Sequence, residues 1–292
     1  METTDKQGIF SFTSIKDITV KTLTALENMY DKQNVGKGLK TGFGWLEFQK
    51  GELIVLSGCP NVGKTALALS LIKQISIDNK TPTGLIVPGN FENVALGQRL
   101  LSICSEVAVA KIRKTMLNMD EFEKIKTASN KLYDSPICIF NEPNCNFERL
   151  KESAIDMVEQ QEVKLIIVDG FEFLEEIVDA ENENYRRRLE AMLDRFKALA
   201  IKLQIPIVLT LDLPNYEYGY EPRLLDFKKY MVIPNKADKV LLIYREFRDL
   251  IENEFISYAN LIVAKNENGP TGDIRLKFLP KTALFENNDD GD

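Results

Sequence analysis

Residues Gly58–Thr65 read Gly-Cys-Pro-Asn-Val-Gly-Lys-Thr, and this stretch decides the fold. It matches the pattern G-x-x-x-x-G-K-[ST], in which a glycine-rich loop joins a strand to a helix. The flanking sequence fits, because the apolar stretch Glu52 to Ser57 predicts a strand before the loop and the residues from Lys64 onward predict a helix after it. The full pattern in this setting favours a phosphate-binding loop over a chance match in a glycine turn.

Each residue type in the loop suits a phosphate ligand. Gly58 and Gly63 let the backbone turn so that successive N–H groups, together with the helix N-terminus, hold phosphate oxygens. Lys64 would reach the β and γ phosphates, and the Thr65 hydroxyl would hold Mg²⁺. The predicted nucleotide-binding residues of the loop are Gly58, Pro60, Asn61, Val62, Gly63, Lys64, Thr65 and Ala66.

A magnesium site of this kind needs a second, acidic group, and Asp169 supplies it. The apolar residues Lys164 to Val168 predict a strand, and Asp169 follows at its carboxyl end. Ligands of parallel α/β sheets bind at that edge. We therefore predict that Thr65 and Asp169 hold Mg²⁺. A turn-forming role for Asp169 ahead of Gly170 is the alternative, and it is compatible with metal binding.

The order of elements predicts the fold class. From Thr81 onward, short apolar runs alternate with longer segments of helical period, which is typical of βαβ units. Near-continuous Val, Ile and Leu in the strands indicate burial on both faces. We predict an α/β fold with a mostly parallel central sheet flanked by helices. Tyr258–Lys265 and Asp273–Leu279, separated by Asn268–Pro270, predict an antiparallel hairpin at the sheet edge.

The predicted strands are Glu52–Ser57, Gly84–Val87, Ile137–Phe140, Lys164–Val168, Ile207–Leu211 and Lys239–Tyr244. The predicted helices are Lys64–Ile77, Val94–Cys104, Met119–Leu132, Phe147–Gln161 and Tyr185–Leu203. An amphipathic stretch before the first strand, Ser14 to Tyr30, predicts a further helix, which packs either on its own domain or on a neighbouring subunit.

Composition excludes several function classes. The 292 residues include 37 Lys plus Arg, 44 Asp plus Glu and no His, for a net charge of −7. Without imidazole there is no Ser-His-Asp or Cys-His system and no His-ligated metal, so acid–base chemistry falls to carboxylates, lysines or thiols. Apolar runs are too short to span a bilayer and Met1 to Phe10 does not resemble a signal peptide, so we expect a cytoplasmic protein.

Three further stretches, read with the phosphate loop, resemble the C-terminal motor domain of bacterial replicative hexameric DNA helicases, the DnaB family, on a RecA-like fold. They are Thr41–Leu46 before the first strand, Phe196–Val208, and Ala237–Arg245 with Lys265, Asn268–Pro270 and Gly272. The resemblance implies a tail and linker helix in residues 1–35, a RecA-like P-loop NTPase domain in 36–286 and an acidic disordered tail in 287–292. No part of this sequence resembles the family's N-terminal primase-binding domain.

The family resemblance also implies partners and roles. It implies a hexameric ring with ATP–Mg²⁺ sites between subunits and single-stranded DNA in the central loops. Lys64, Thr65 and Asp169 match family positions. Lys265 matches a lysine that reaches from the neighbouring subunit toward the γ-phosphate, and Arg245 matches an arginine near the nucleotide base.

Departures from the family pattern fall on its hydrolytic residues. The water-activating Glu of the family corresponds to Asn90, whose amide cannot accept a proton, and Glu92 is the candidate replacement base. Asp212 stands where the family has a Gln that senses the γ-phosphate. Glu267 stands where the family places an arginine finger, a residue type worth roughly 10³–10⁵ in rate.

The loop Asp226–Met231 occupies the position of the family's DNA-contacting loop. Lys228 and Lys229 could pair with phosphates and Tyr230 could stack on a base; a solvated lysine pair with a surface aromatic is the equal alternative. Six acids between Glu172 and Glu183 predict a solvated loop, leaving Lys228, Lys229 and Lys236 to form a basic loop.

The resulting expectation is a DnaB-like protein that binds ATP–Mg²⁺ through a Walker A/B site, with hydrolysis weak or lost and single-stranded DNA as an open second ligand. The alternatives are a fully active ring helicase moving 5′ to 3′, a regulatory or scaffold paralogue that binds a helicase subunit, and a RecA-like ATPase that is not a helicase.

Overall fold

The computed structural model describes residues 14–31, 38–89, 92–174, 177, 185–214, 219–245 and 257–288. The chain divides into two units, Met1–Gly38 and Leu39–Asp292. The first contains helix α1, Ile15–Asp31, as the amphipathic pattern predicts. Several of its apolar side chains, including Ile15 and Val20, are exposed.

The second unit holds the remaining described elements. Its helices are α2 (Lys64–Ile72), α3 (Asn93–Ser105), α4 (Val109–Lys114), α5 (Met119–Tyr133), α6 (Phe147–Gln161), α7 (Tyr185–Leu203) and α8 (Val232–Lys236). Its strands are β1 (Leu39–Lys40), β2 (Glu47–Phe48), β3 (Leu53–Gly58), β4 (Thr83–Val87), β5 (Ile137–Asn141), β6 (Leu165–Asp169), β7 (Ile207–Asp212), β8 (Lys239–Arg245), β9 (Ser257–Asn266), β10 (Gly272–Leu279) and β11 (Leu284–Asn287). A π-helical turn, Lys73–Asp78, continues α2, and 3₁₀ turns span Phe171–Phe173 and Leu224–Tyr230.

Within the described residues, nine strands form one sheet in the order β11-β10-β9-β8-β3-β7-β6-β4-β5. The strands from β8 to β5 run parallel to their neighbours, whereas β9, β10 and β11 add antiparallel to β8. Strands β1 and β2 pair separately. The mostly parallel sheet and the C-terminal antiparallel hairpin are therefore confirmed, and β11 extends the hairpin by a strand that the sequence patterns did not indicate.

Strand β3 at the centre of the sheet is buried on both faces, as its composition predicts. Leu53 and Val55 point to one core cluster, which also contains Phe196 of α7, while Ile54 and Leu56 point to the other. All six residues of β3 are buried. Helices consequently cover both faces of the sheet, and the carboxyl ends of the parallel strands form a common edge.

Predicted element bounds agree closely with the structure, and the differences have local causes. Helices Phe147–Gln161 and Tyr185–Leu203 begin and end as predicted. The predicted helix Lys64–Ile77 instead changes to π-helical geometry at Lys73. Short elements such as β1, β2 and α4 lacked a clear period and were not predicted.

A buried ion pair joins the start of β3 to the start of β8. Lys239 Nζ lies 2.9 Å from Glu52 Oε2, and the two side chains are only 1% and 2% exposed. Lys239 also donates to the Glu47 carbonyl at 2.6 Å. Glu52 accepts from Gln49 N at 2.7 Å and from Asn268 Nδ2 at 2.8 Å. Because both charges have several partners, the pair fixes the β3–β8 register.

No described helix is both long and apolar enough to cross a membrane.

Candidate functional site

The loop between β3 and α2 has the backbone that its glycines predict. A Cβ on Gly58 would lie 2.7 Å from the carbonyl oxygen of Ile243 in β8, so a side chain does not fit there. Gly63 has φ +114°, in the left-handed region, and its added Cβ would lie 3.1 Å from the Phe285 ring. Both positions therefore favour glycine, Gly58 because another strand's backbone approaches closely and Gly63 because of its left-handed conformation.

A cavity of about 830 Å³ opens at this edge of the sheet, within the ~300–1,000 Å³ range of small-molecule sites. Of the predicted nucleotide and metal residues, the structure brings together around it Pro60, Asn61, Gly63, Lys64, Thr65, Ala66, Asp169 and Arg245. Two other predicted residues are not among those that line the cavity: Gly58 ends β3, and Val62 is buried in the core. The phosphate loop and the strand-end acid thus share one cavity.

Lys64 faces an acidic partner inside this cavity. Its Nζ donates to the carbonyl oxygens of Gly58 at 3.4 Å and Cys59 at 3.1 Å, and it is ion-paired with the carboxylate of Asp212. Asp212 ends β7 and lies beside Gly58 in the β3–β7 register. Its side chain is 50% exposed. The residue that the resemblance matches to the family's sensor therefore pairs with the lysine expected to contact phosphate.

Asp169 is held in place by Thr210, a residue that the sequence patterns did not single out. Thr210 Oγ1 donates to Asp169 Oδ1 at 2.6 Å and accepts from Gly170 N at 2.9 Å. Thr210 is buried in β7, so its hydroxyl fixes the carboxylate at the cavity. Carboxylate and hydroxyl oxygens are ligands that Mg²⁺ prefers, and Asp169 and Thr65 line the same cavity. These residues fit a magnesium ion.

Glu172 is a second acid that sequence reasoning missed. The prediction of a solvated loop is wrong for this residue, because its side chain is half-buried, with Oε2 shielded from solvent, and lines the cavity; the other acids of the run lie outside the described residues. Burial is the main cause that raises the pKa of Glu172 to about 7; the charges of Asp212 and Asp169 act in the same direction, whereas a hydrogen bond from its own backbone N–H and the charge of Lys64 oppose it. Its position three residues after Asp169 was the available signal.

Three arginines bring positive charge to the cavity. Arg99 of α3 and Arg113 of α4 line it, and burial, with Arg113 nearby, lowers the pKa of Arg99. The guanidinium of Arg245 lies 4.3 Å from the ring centroid of Phe278, which also lines the cavity. Burial lowers the pKa of Arg245. These arginines, with Lys64, therefore offset the negative charge of Asp169, Glu172 and Asp212, so the cavity can accept an anion.

Glu92, the candidate base from the sequence, lies at the start of α3. Asn90 is outside the described residues. Glu92 is exposed at the N-cap of α3 and is not among the described residues that line the cavity. Its role as a replacement base stays a prediction.

Lys265 and Glu267 lie close together near the end of β9. Lys265 Nζ donates to the carbonyl oxygens of Pro234 at 3.0 Å and Ala237 at 2.6 Å. It also lies 2.8 Å from Glu267 Oε1. Neither residue lines the described cavity. The lysine that the resemblance directs at a neighbouring subunit thus has an acid beside it.

The predicted DNA loop is only partly basic. Lys228 is exposed and adopts φ 44° in the 3₁₀ turn Leu224–Tyr230; the side chain of Lys229 is outside the described residues. Tyr230 packs edge-on against Tyr185, with ring centroids 5.4 Å apart. The expectation that Lys236 belongs to a basic loop is wrong, because its Nζ lies 2.8 Å from Asp194 and 3.4 Å from Glu190.

Comparison with known proteins agrees with this geometry. The DnaB-like helicase C-terminal domain family matches residues 38–287. Replicative DNA helicase DnaB of Treponema pallidum (strain Nichols) is 31% identical over 287 residues, covering 97% of this chain and 63% of that protein. The DnaB helicase of Geobacillus stearothermophilus is 24% identical, covering 98% and 64%. The chain therefore spans less than two thirds of these curated relatives.

Solved structures show the same fold. A solved ATPase domain superposes with a TM-score of 0.78 at 20% identity, covering 96% of this chain and 100% of that one. A DnaB-like replicative helicase, described with its interactions with primase, gives a TM-score of 0.80 at 20% identity, covering 96% and 68%. The predicted RecA-like fold is confirmed. With a match across residues 38–287, the chain belongs to the DnaB-like helicase C-terminal domain family.

Proposed function

We propose that this chain is an ATP–Mg²⁺-binding helicase motor domain that acts in a ring of copies and hydrolyses ATP slowly. The observation that carries the proposal is the shared cavity, in which the phosphate loop, Thr65 and Asp169 meet at the carboxyl edge of the sheet. Cavities at this edge are where α/β folds bind nucleotides.

Each cavity residue has a defined task in binding. Loop N–H groups and Lys64 hold the phosphates, while Thr65 and Asp169 hold Mg²⁺. When bound, the ion offsets phosphate charge and orients the γ-phosphate. Thr210 keeps the Asp169 carboxylate turned toward that position, and the Arg245–Phe278 pair offers a flat surface for the base.

Two ion pairs, each between a carboxylate and a lysine, support slow hydrolysis. Asp212 is paired with Lys64, and Glu267 lies 2.8 Å from Lys265. Both lysines match family positions that act on the phosphates, so each acid reduces the positive charge available to the transition state. A negative Glu267 at the arginine-finger position also opposes the charge that develops during phosphoryl transfer.

Ring assembly and single-stranded DNA complete the proposal. The exposed apolar residues of α1, among them Ile18 and Leu23, would be covered by a neighbouring copy. Lys228 would meet a DNA phosphate, which is a salt-dependent contact. A regulatory paralogue that joins a ring of active helicase subunits is the second candidate, and the Lys265–Glu267 contact favours it, because such a subunit does not need to activate its neighbour.

The test combines nucleotide binding with assembly. Fluorescent ATP should bind with nanomolar-to-micromolar affinity in Mg²⁺, Lys64→Ala should abolish binding, and the exposed control Lys202→Ala should bind normally. Light scattering after size exclusion, with and without ATP, separates ring from monomer. Absence of ATP binding contradicts the proposed function. Turnover of about 1 s⁻¹ or faster, within the ordinary enzyme range, contradicts slow hydrolysis.

A further inference from the structure

We infer that Glu172 is the general base of the slow ATP hydrolysis in this chain. The inference rests on the proposed function, because it requires ATP in the cavity that Glu172 lines. It assigns the role to the turn after β6 instead of the segment after β4, where the resemblance implies Asn90 and Glu92.

A tight turn fixes Glu172 beside the metal-binding position. Gly170 has φ +88°, and a Cβ there would lie 2.5 Å from the Phe173 ring, so the turn requires glycine. Phe173 N donates to the Gly170 carbonyl at 2.9 Å. Phe171 is buried and packs edge-on against Phe196, with centroids 5.7 Å apart. With Phe171 anchored in the core, the next side chain, Glu172, is directed to the cavity.

Glu172 is an acid of the cavity with a buried oxygen to which no described group donates a hydrogen bond. Its Oε2 is buried and has no hydrogen-bond partner in the described part of the chain. Asp169 accepts from Thr210, and Asp212 is paired with Lys64. A buried acceptor without a donor is costly unless a ligand satisfies it, and a water molecule beside the γ-phosphate would supply that donor.

The charged surroundings of Glu172 suit proton transfer at neutral pH. Burial is the main cause that raises its pKa to about 7; a hydrogen bond from its own backbone N–H and the charge of Lys64 act against this, and Asp212 and Asp169 act with it. The phenol of Tyr185 is a further titratable neighbour, and burial raises its pKa as well. A base with a pKa near the working pH combines a useful ionised fraction with useful basicity.

The step balances without any further reactant. The water oxygen forms a bond to the γ-phosphorus while the bond from that phosphorus to the β–γ bridging oxygen breaks, and ADP leaves with the electron pair. The water proton passes to Glu172 Oε2. Products are ADP and inorganic phosphate, and Glu172 then returns its proton to solvent.

The test compares Glu172→Gln, Glu92→Gln and the exposed control Glu159→Gln. Affinity for fluorescent ATP in Mg²⁺ should not weaken more than about threefold in any of the three, since none removes a phosphate contact, whereas Glu172→Gln removes a like charge. Single-turnover phosphate release should fall about 10²-fold or more in Glu172→Gln only, the usual effect of losing a general base. The wild-type rate should rise with pH as the Glu172 carboxyl ionises, and Glu172→Gln should lack this rise.

A readout without nucleotide completes the test. In protein labelled with ¹³C at the glutamate carboxyl, one resonance should titrate near pH 7 and be missing from Glu172→Gln. Equal phosphate release by Glu172→Gln and wild type overturns the inference, as does a selective loss in Glu92→Gln. So does ATP binding by wild type with no phosphate release over long incubation, although the binding part of the proposed function then stands. Failure of wild type to bind ATP overturns both.

Discussion

The ammonium group of Lys64 is paired with the carboxylate of Asp212, where the ends of β3 and β7 lie side by side. A phosphate that binds in the loop must therefore compete with an acid of the same chain for this lysine. The acid also repels the phosphate directly, because both carry negative charge. Under the proposed function, ATP affinity should therefore depend on the residue at position 212.

Asp212→Asn should bind ATP more tightly than wild type. The substitution frees Lys64 and removes a like charge from the cavity, and about 1 kcal/mol for a half-exposed pair corresponds to roughly fivefold in Kd. Titration with fluorescent ATP at fixed Mg²⁺ measures it, with the exposed Asp156→Asn as control. Weaker binding that excess Mg²⁺ restores would instead identify Asp212 as a metal ligand.

Thr210→Val should loosen the metal site and destabilise the fold. Valine keeps the shape but removes the hydroxyl that donates to Asp169 and accepts from Gly170 N. A buried N–H without a partner costs about 1–3 kcal/mol. Urea unfolding should show this loss, and ATP binding should require more Mg²⁺. Thr210→Ser keeps the hydroxyl and should restore most of both properties; if serine fails as valine does, the methyl group matters instead.

Glu172→Gln should change how stability depends on pH. The native pKa of about 7 exceeds the ordinary value of 4.5, so between these pH values the native state binds more protons than the unfolded state. The free energy of unfolding of wild type therefore falls as pH rises through this window. Glutamine does not titrate. The free energy of unfolding of Glu172→Gln, taken relative to that of wild type, should therefore increase by roughly 2–3 kcal/mol from pH 5 to pH 8.

Urea unfolding of Glu172→Gln, wild type and Glu159→Gln at both pH values measures this difference. The window is favourable in this chain, because it has no histidine whose ordinary titration would overlap. A difference between Glu172→Gln and wild type that stays constant from pH 5 to pH 8 contradicts the raised pKa of Glu172.

Lys239→Met should be strongly destabilising. It leaves the Glu52 carboxylate buried without its cation, and breaking one side of a buried pair costs about 3–5 kcal/mol. The double variant Glu52→Gln with Lys239→Met removes both charges and should recover much of that loss in urea unfolding. If the double variant is as unstable as the single one, the loss comes from the missing contact to the Glu47 carbonyl and not from the unpaired charge.

Local patterns in the sequence predict the fold and the loop well. Glycine at positions 58 and 63, the apolar strand β3 and the helical period after Lys64 act within about ten residues, so their spacing is readable directly. The same holds for Asp169, because a strand and the residue at its end are adjacent in sequence. Helices α6 and α7 are amphipathic over their whole length, and both begin and end at the predicted residues.

The parts that sequence did not reveal depend on long-range contacts. Thr210 lies 41 residues from Asp169, and Asp212 meets Lys64 only because β7 lies beside β3. Glu172 belongs to an acidic run that predicts solvation, yet the anchoring of Phe171 against Phe196 places this one side chain at the cavity. Strand register and core packing decide such positions, and neither is visible as a local pattern.

Glu267→Arg should raise ATP turnover in assembled protein. Glu267 lies 2.8 Å from Lys265, which two carbonyl groups also hold, so removing the acid leaves the lysine in place. An arginine facing the site of a neighbouring copy would stabilise the transition-state charge, and even a small part of the 10³–10⁵ effect of such residues gives about tenfold. Steady-state phosphate release at several protein concentrations, with mass measurement alongside, checks this.

Glu159→Arg makes the same charge change on an exposed surface and should not raise turnover. Because the effect requires a neighbour, it should fade as the protein is diluted; an increase that persists in monomeric protein would instead place the arginine at its own subunit's cavity.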